Sequence, residues 1–293
     1  MKNYIVVTGG AGFVGSNLIR LFLNKTKFKM ISVDNYSSGK ISNHINHKRV
    51  EYISGNTKNI RKILSSKKNK IHSIFHFGEF ARIYQSFLKM EECINSNSAG
   101  SNAVFNFCFS NNIKLVYSAT SASIGNNGKD KSLSPYAFTK SKNLEFLENL
   151  KKWFKFKFEV IYFYNVYGHN QISTGSMATV IGIFENLYKK KKLLTVVKPG
   201  SQSRRFTHIE DTINACYFAW KENKCRHYII SNKESYTILE VAKLFKSKIK
   251  KLSPRRGERY KSALIDMNLS NRIYKIYGKI RLKDYIANII KSS

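Results

Sequence analysis

The sequence predicts an α/β protein: a Rossmann-type doubly wound parallel sheet with a smaller, mixed α/β substrate-binding lobe. Three observations lead there. Short β-branched runs alternate with longer amphipathic stretches through the first half of the chain, a glycine-rich turn joins the first such pair, and an acidic residue closes the second run.

Strands are expected at Tyr4 to Thr8, Met30 to Val33, Val50 to Ser54, Ile71 to Phe77, Lys114 to Ser118 and Phe158 to Phe163. Helices are expected at Val14 to Asn24, about Glu91 to Asn111 and about Tyr136 to Trp153, and such crossovers make neighbouring strands parallel. After Asn165 the alternation stops, and helices follow at about Met177 to Lys190, Ile209 to Trp220 and Ile238 to Phe245. Residues 1–165 are accordingly assigned to a dinucleotide-binding domain with a return around 203–222, and 166–202 plus 223–293 to the smaller lobe. Parallel sheets take ligands beyond the carboxyl ends of their strands, which is where chemistry is sought.

At 293 residues, with 42% apolar and 13% aromatic side chains, the chain can bury a large core without disulfides. Cys93, Cys108, Cys216 and Cys225 show neither C-x-x-C spacing nor a nearby His cluster, so no metal site is expected. No apolar run approaches the roughly 18 residues of a membrane span. The first residues run straight into a strand without a secretory leader pattern, so the expected compartment is the cytoplasm.

A formal charge of +33 raises the question of nucleic acid. The lysines stand in short groups such as Lys67-Lys68, Lys151-Lys152 and Lys189 to Lys192, with no long basic arm and no nucleic-acid motif, so no specific nucleic-acid partner is expected. Two accounts of the charge remain. One is a solvated surface whose Lys, Asn and Ile content follows A/T-rich codons; the other is a field that concentrates an anionic substrate and weakens with salt.

Thr8-Gly9-Gly10-Ala11-Gly12-Phe13-Val14-Gly15 follows the first strand and opens the first helix. Glycines there permit a tight turn and close approach of a pyrophosphate, whose charge then sits at the helix N-terminus. Asp34 stands nineteen residues beyond Gly15, where a carboxylate accepts from ribose hydroxyls and repels a 2′-phosphate. The expected cofactor is NAD.

Ser134-Pro135 reads as a helix start, with Ser134 capping and Pro135 in the first turn. Tyr136 and Lys140 then lie at i and i+4 on one face. A phenol is a poor base at neutral pH, and a neighbouring ammonium brings it toward a working range. The same lysine can reach the nicotinamide ribose.

With these motifs the chain resembles the extended short-chain dehydrogenase/reductase family, in particular the NAD-dependent nucleotide-sugar epimerases and dehydratases. The resemblance rests on Thr8 to Gly15, Asp34, the strand-end His76, Thr120 within Ser118 to Gly125, and Tyr136 with Lys140. Later segments add to it: Tyr164 to Gly168 is similar to an N-x-Y-G turn, Arg204 to His208 to R-D-F-x-H, and Arg255 to Glu258 to R-P-G-D. It implies that Thr120 bonds the reacting sugar oxygen, Tyr136 takes its proton and NAD takes the hydride, giving a transient keto-sugar. It implies a cofactor site drawing on Gly9, Gly12, Phe13, Val14, Gly15, Asp34, Asn35, Asn56, Phe77, Gly78 and Lys140. Asn165, Arg204 and Arg255 would hold a diphosphate, which suits the planar donors of arginine. The implied partner is a nucleotide-diphosphate sugar, and a homodimer through the helices around Glu91 to Asn111 and Tyr136 to Trp153 is expected.

Three positions depart from the family pattern. Dehydratases carry an Asp-Glu pair directly after the catalytic Thr, where this chain has Ser121 and Ala122, so epimerisation, with C4 the expected centre, is favoured over 4,6-dehydration. A dehydratase, or a keto-sugar dehydrogenase or reductase, is the alternative. Gly78-Glu79 replaces a pair of small residues, and Glu79 and Arg82 are expected on the substrate side of the site; Glu79 could contact substrate hydroxyls, pair with Arg82, or supply an acid or base that keeps dehydration open. Asn56 stands where an Asp usually lies beside adenine and retains a hydrogen-bonding amide.

Overall fold

The computed structural model describes residues 2–124, 130–257 and 273–292; Gly125 of the Ser118 to Gly125 segment and Glu258 of the Arg255 to Glu258 segment lie outside the described residues. Strands run in chain order as β1 (Tyr4–Thr8), β2 (Lys29–Asp34), β3 (Val50–Ser54), β4 (Ile71–His76), β5 (Lys114–Thr120) and β6 (Phe158–Phe163). The later chain adds β7 (Val166–Tyr167), β8 (Leu194–Val197), β9 (Ser203–Arg205), β10 (Thr207–His208), β11 (His227–Ser231), β12 (Ser235–Thr237), β13 (Ile249–Leu252) and β14 (Ile273–Tyr277).

Eight of these strands form one sheet in the order β3-β2-β1-β4-β5-β6-β11-β14, with every neighbouring pair parallel. The sequence explains why both faces are covered. Along β1, Val6 packs into one core cluster while Ile5 and Val7 enter the other, and along β5 Leu115, Tyr117 and Ala119 oppose Val116 in the same way. Alternate side chains of a strand point to opposite faces, so an unbroken apolar run demands helices on both sides. Ser101–Ser110 and Pro135–Phe154 supply one layer and Phe13–Lys25 with Ile209–Glu222 the other.

Two findings refine the predicted layout. The expected helix around Glu91 to Asn111 is interrupted: Met90–Ile94 and Ser101–Ser110 are α-helical, and Asn95–Gly100 between them is a π-helical turn. Within 223–293, β11 and β14 extend the large sheet, their register running His227 against Val160 and Ile273. The smaller lobe is built around a separate cluster, including Tyr167, Phe184, Val196, Phe206 and Phe245, with β8 paired to β13 and β9 to β12. Among the described residues no helix is long and apolar enough to cross a membrane.

Candidate active site

The carboxyl ends of β1, β2, β4, β5 and β6 open on one cavity of about 520 Å³, roofed by the smaller lobe. At its β1 end, Gly9 takes φ +71°, and a Cβ on it would come within 2.9 Å of the Gly78 backbone. A Cβ on Gly15 would meet the Gly9 carbonyl oxygen at 2.2 Å. The turn can therefore close against β4 and the first helix only with hydrogen at these positions. The helix Phe13–Lys25 then begins at Gly12 with no side-chain cap, leaving its first amides to an incoming acceptor.

Asp34, ending β2, accepts from the Ala11 amide at 3.0 Å and the Tyr36 amide at 2.8 Å. Burial raises its pKa, and those two amides oppose the rise. A carboxylate has about four acceptor sites, so capacity remains for ribose hydroxyls. Asn35 lines the cavity beside it, and Asn56 lines it while its Oδ1 accepts from the Lys58 amide at 3.0 Å. A glycine cradle shaped by backbone contact, an uncapped helix start and an acid at the second strand end fit a dinucleotide with a free ribose 2′-hydroxyl.

Deeper in the cavity lie Thr120, Tyr136 and Lys140. Ser134 Oγ accepts from the Ala137 amide at 3.1 Å and Pro135 occupies the first turn, so the helix Pro135–Phe154 starts as its sequence predicts. Its start is anchored sideways too, because the Tyr136 amide donates to Ser86 Oγ at 3.2 Å. Thr120 ends β5, and its Oγ1 accepts from the Ala122 amide at 3.3 Å.

Lys140 is almost fully buried. Its Nζ donates to the Glu79 carboxylate and to the Ser118 carbonyl, and sits 4.5 Å from the Tyr117 ring centre. Burial pushes its pKa below the usual lysine value, and Glu79 pulls it back up. Of the roles open to Glu79, the structure forms an ion pair, with Lys140 rather than Arg82. Glu79 Oε1 also accepts from Ser101 Oγ at 2.8 Å, Tyr117 Oη at 3.0 Å and Asn143 Nδ2 at 3.1 Å. Both oxygens of a side chain that is only 2% exposed are thus occupied.

The network assigns its own protons. Because Ser101 spends its hydroxyl hydrogen on Glu79, its oxygen accepts from His76 Nε2 at 2.9 Å, leaving His76 Nδ1 to accept from Thr8 Oγ1 at 2.7 Å. A neutral imidazole is required, and burial lowers the His76 pKa to about 4. Thr8 Oγ1 in turn accepts from the Phe77 and Gly78 amides, at 3.1 and 3.0 Å.

On the opposite wall, Asn165 Nδ2 donates to the Arg205 carbonyl at 2.8 Å and so ties down the strand that carries Arg204. Arg255 stacks 5.3 Å from the Tyr84 ring centre. Arg82 stands two residues before that Tyr84, close enough to Tyr136 for their charges to interact, with its Nε donating to the Met177 carbonyl at 2.9 Å.

The structure brings all the residues given catalytic, cofactor or substrate roles in sequence to this one cavity, from Gly9, Gly12, Phe13, Val14 and Gly15 to Arg204 and Arg255; the strand-end His76 lies outside its lining. Sequence reasoning missed Tyr117, Ser101 and Asn143. Only Asn143 carried a signal: Tyr136, Lys140 and Asn143 stand at i, i+4 and i+7 on one helix face.

A family model described as the NAD dependent epimerase/dehydratase family matches residues 5–231. The ADP-L-glycero-D-manno-heptose-6-epimerase of Brachyspira hyodysenteriae is 29% identical over 267 residues, covering 85% of this chain and 82% of that protein. Its counterpart in Fusobacterium nucleatum is 27% identical over 237 residues, 73% and 70% of the two chains. Among solved structures, UDP-glucose 4-epimerase from Thermotoga maritima shares the fold with a TM-score of 0.85 at 22% identity, over 98% of this chain and 97% of that one. UDP-N-acetylglucosamine 4-epimerase from Methanobrevibacter ruminantium shares it with a TM-score of 0.84 at 24% identity, over 99% and 97%.

Proposed function

The chain belongs to the NAD dependent epimerase/dehydratase family, and on that premise we propose that it inverts one stereocentre of a nucleotide-diphosphate sugar, with C4 the expected centre, through a transient keto-sugar. The observation that carries this reading is the meeting of Thr120, Tyr136 and Lys140 in one cavity with no carboxylate free for elimination among the described residues. Ser121 and Ala122 follow Thr120, both buried, and the acid nearest in sequence to the β4 end, Glu79, has its charge bound to Lys140. Elimination of water needs an acid and a base at the sugar in addition to the tyrosine. Among the described residues the site offers no such pair.

NAD, when bound, supplies the hydride acceptor and donor. The first amides of the helix Phe13–Lys25 would hold its pyrophosphate, Asp34 its adenosine ribose, Asn35 and Asn56 the adenine side, and Phe77, Gly78 and Lys140 the nicotinamide side. Lys140 has three donors; Glu79 and Ser118 take two, and the third is left for a ribose hydroxyl. Tyr136 Oη takes the proton from the sugar hydroxyl and gives it back, and Thr120 Oγ1 orients that oxygen. Asn165, Arg204 and Arg255 hold the diphosphate.

We further propose that the protein works in the cytoplasm as a homodimer. Leu88, Met90, Ile94 and Phe138 support the dimer, being 64%, 55%, 44% and 49% exposed on or beside the helices Met90–Ile94 and Pro135–Phe154. Light scattering gives its mass directly.

The function is tested by incubating the NAD-loaded protein with a panel of UDP-, GDP-, ADP- and dTDP-sugars and following products by mass spectrometry and NMR. An isomer of unchanged mass is expected, without net NADH. A product lighter by one water, or stoichiometric NADH, refutes epimerisation. Tyr136→Phe should slow turnover by about 10²-fold or more.

A further inference from the structure

We propose that Arg82 is the receptor for a carboxylate on the sugar itself, so that the substrate class is a nucleotide-activated uronic or otherwise carboxylated sugar. This rests on the nucleotide-sugar reading above and narrows it.

Arg82 closes the turn after β4 and caps the entry to the helix Ile83–Leu88. Its side chain lines the cavity that holds Thr120, Tyr136 and Lys140, near enough to Tyr136 for their charges to interact. The guanidinium is held in place by uncharged groups alone. Nε donates to the Met177 carbonyl at 2.9 Å, Nη2 donates to the same oxygen, and Nη1 donates to the Ala81 carbonyl at 2.7 Å. These bonds leave one N–H on each of Nη1 and Nη2, a planar two-donor fork of the kind that matches a carboxylate.

Among the described residues the fork has no carboxylate partner. Among the described residues two acids line this cavity, and both are committed elsewhere: Asp34 to the Ala11 and Tyr36 amides, Glu79 to Lys140. A half-buried cation without a counter-charge is unfavourable unless a ligand supplies one. Arg204 and Arg255 are sufficient for a diphosphate, so Arg82 is a cation in excess of what the nucleotide needs, and it lies close to Tyr136, the residue proposed to act on the sugar. The competing role for it is electrostatic help to the Tyr136 phenol, and the two differ in which substrates they affect.

The test uses calorimetric titration of the NAD-loaded full chain with matched hexose and hexuronate pairs carrying UDP, GDP, ADP or dTDP. At least one hexuronate should bind about a hundredfold tighter than its hexose partner, the scale of hydrogen bonds to a charged group. Arg82→Gln should abolish that preference, and Arg82→Lys, which keeps charge without the fork, should restore only part of it. Equal binding within every pair overturns the proposal. So does an Arg82→Gln variant that weakens both members alike and moves the pH profile of turnover, because the arginine then serves Tyr136. If no member of any pair binds, the nucleotide-sugar reading falls together with it; if hexoses bind and are epimerised without preference, only the carboxylate assignment falls. Retained NAD binding by the variants shows that they have folded.

Discussion

Replacing Glu79 by Gln isolates what the carboxylate contributes, because shape is nearly preserved and charge is removed. The amide cannot fit this site as it stands. Turned one way, its NH₂ faces the Lys140 ammonium; turned the other, it faces the donors of Ser101, Tyr117 and Asn143. Breaking one partner out of a buried ion pair costs roughly 3 to 5 kcal/mol. For a chain of 293 residues, with an unfolding entropy of about 2.1 cal/mol/K per residue, 3 kcal/mol lowers the melting temperature by roughly 5 °C. The deficit should depend on pH. Burial already lowers the Lys140 pKa while Glu79 raises it, so the variant's lysine titrates lower still. A group with a depressed pKa contributes stability above its unfolded value and loses it as pH falls through its folded value. Relative to wild type, the variant is therefore weakest at neutral pH and recovers as pH rises through its lysine's lowered pKa, above which the neutral amine can accept from the Gln amide. Thermal unfolding at fixed NAD concentration, at pH 7 and pH 10, measures both effects. A variant that melts with wild type at pH 7 and turns over normally would refute the role assigned to Glu79.

Two further substitutions probe the cofactor end. Gly78→Ala places a methyl 2.9 Å from the Gly9 amide nitrogen and 3.1 Å from Thr8 Cβ, so it should destabilise by about 1 to 3 kcal/mol and weaken NAD binding; a fluorescence titration with unchanged affinity argues against the close approach. Asp34→Ala should lower NAD affinity and relax discrimination against NADP by about tenfold or more, since it removes both a ribose acceptor and the repulsion of a 2′-phosphate; an unchanged NAD to NADP affinity ratio contradicts the assignment.

Much of this architecture was legible in the sequence because its signals are local. The strands at Tyr4 to Thr8, Val50 to Ser54 and Phe158 to Phe163, and the capped start at Ser134-Pro135, follow from periodicity and turn chemistry within a few residues. The π-turn at Asn95–Gly100 was not legible, because what stabilises it is tertiary: Asn97 Oδ1 accepts from the Phe80 amide at 2.7 Å and its carbonyl from Asn143 Nδ2 at 2.6 Å. β11 and β14 escaped notice for a similar reason, being five-residue runs whose pairing partners lie far off in the chain. Glu79 was visible as a departure from pattern, but its partner was not, since Arg82 is three residues away and Lys140 sixty-one.

That distant partner changes the account of the catalytic pair. From sequence, Lys140 is a cation one helical turn from Tyr136, and its charge alone would draw the phenol toward ionisation. In the folded protein the same charge faces a carboxylate, and an ammonium paired at hydrogen-bond distance exerts a much weaker field on a third group than an isolated one. The lysine's work is then chiefly positional: it is a donor fixed at the end of β5, held by Glu79, which is held in turn through Ser101, His76 and Thr8 to the amides of Phe77 and Gly78. Those amides belong to the same strand end that packs against Gly9. A shift of the cofactor turn and a shift of the lysine are thus two ends of one buried chain of hydrogen bonds, and because every proton linking Glu79 to the Phe77 and Gly78 amides is committed, neither end can move without breaking a bond within it.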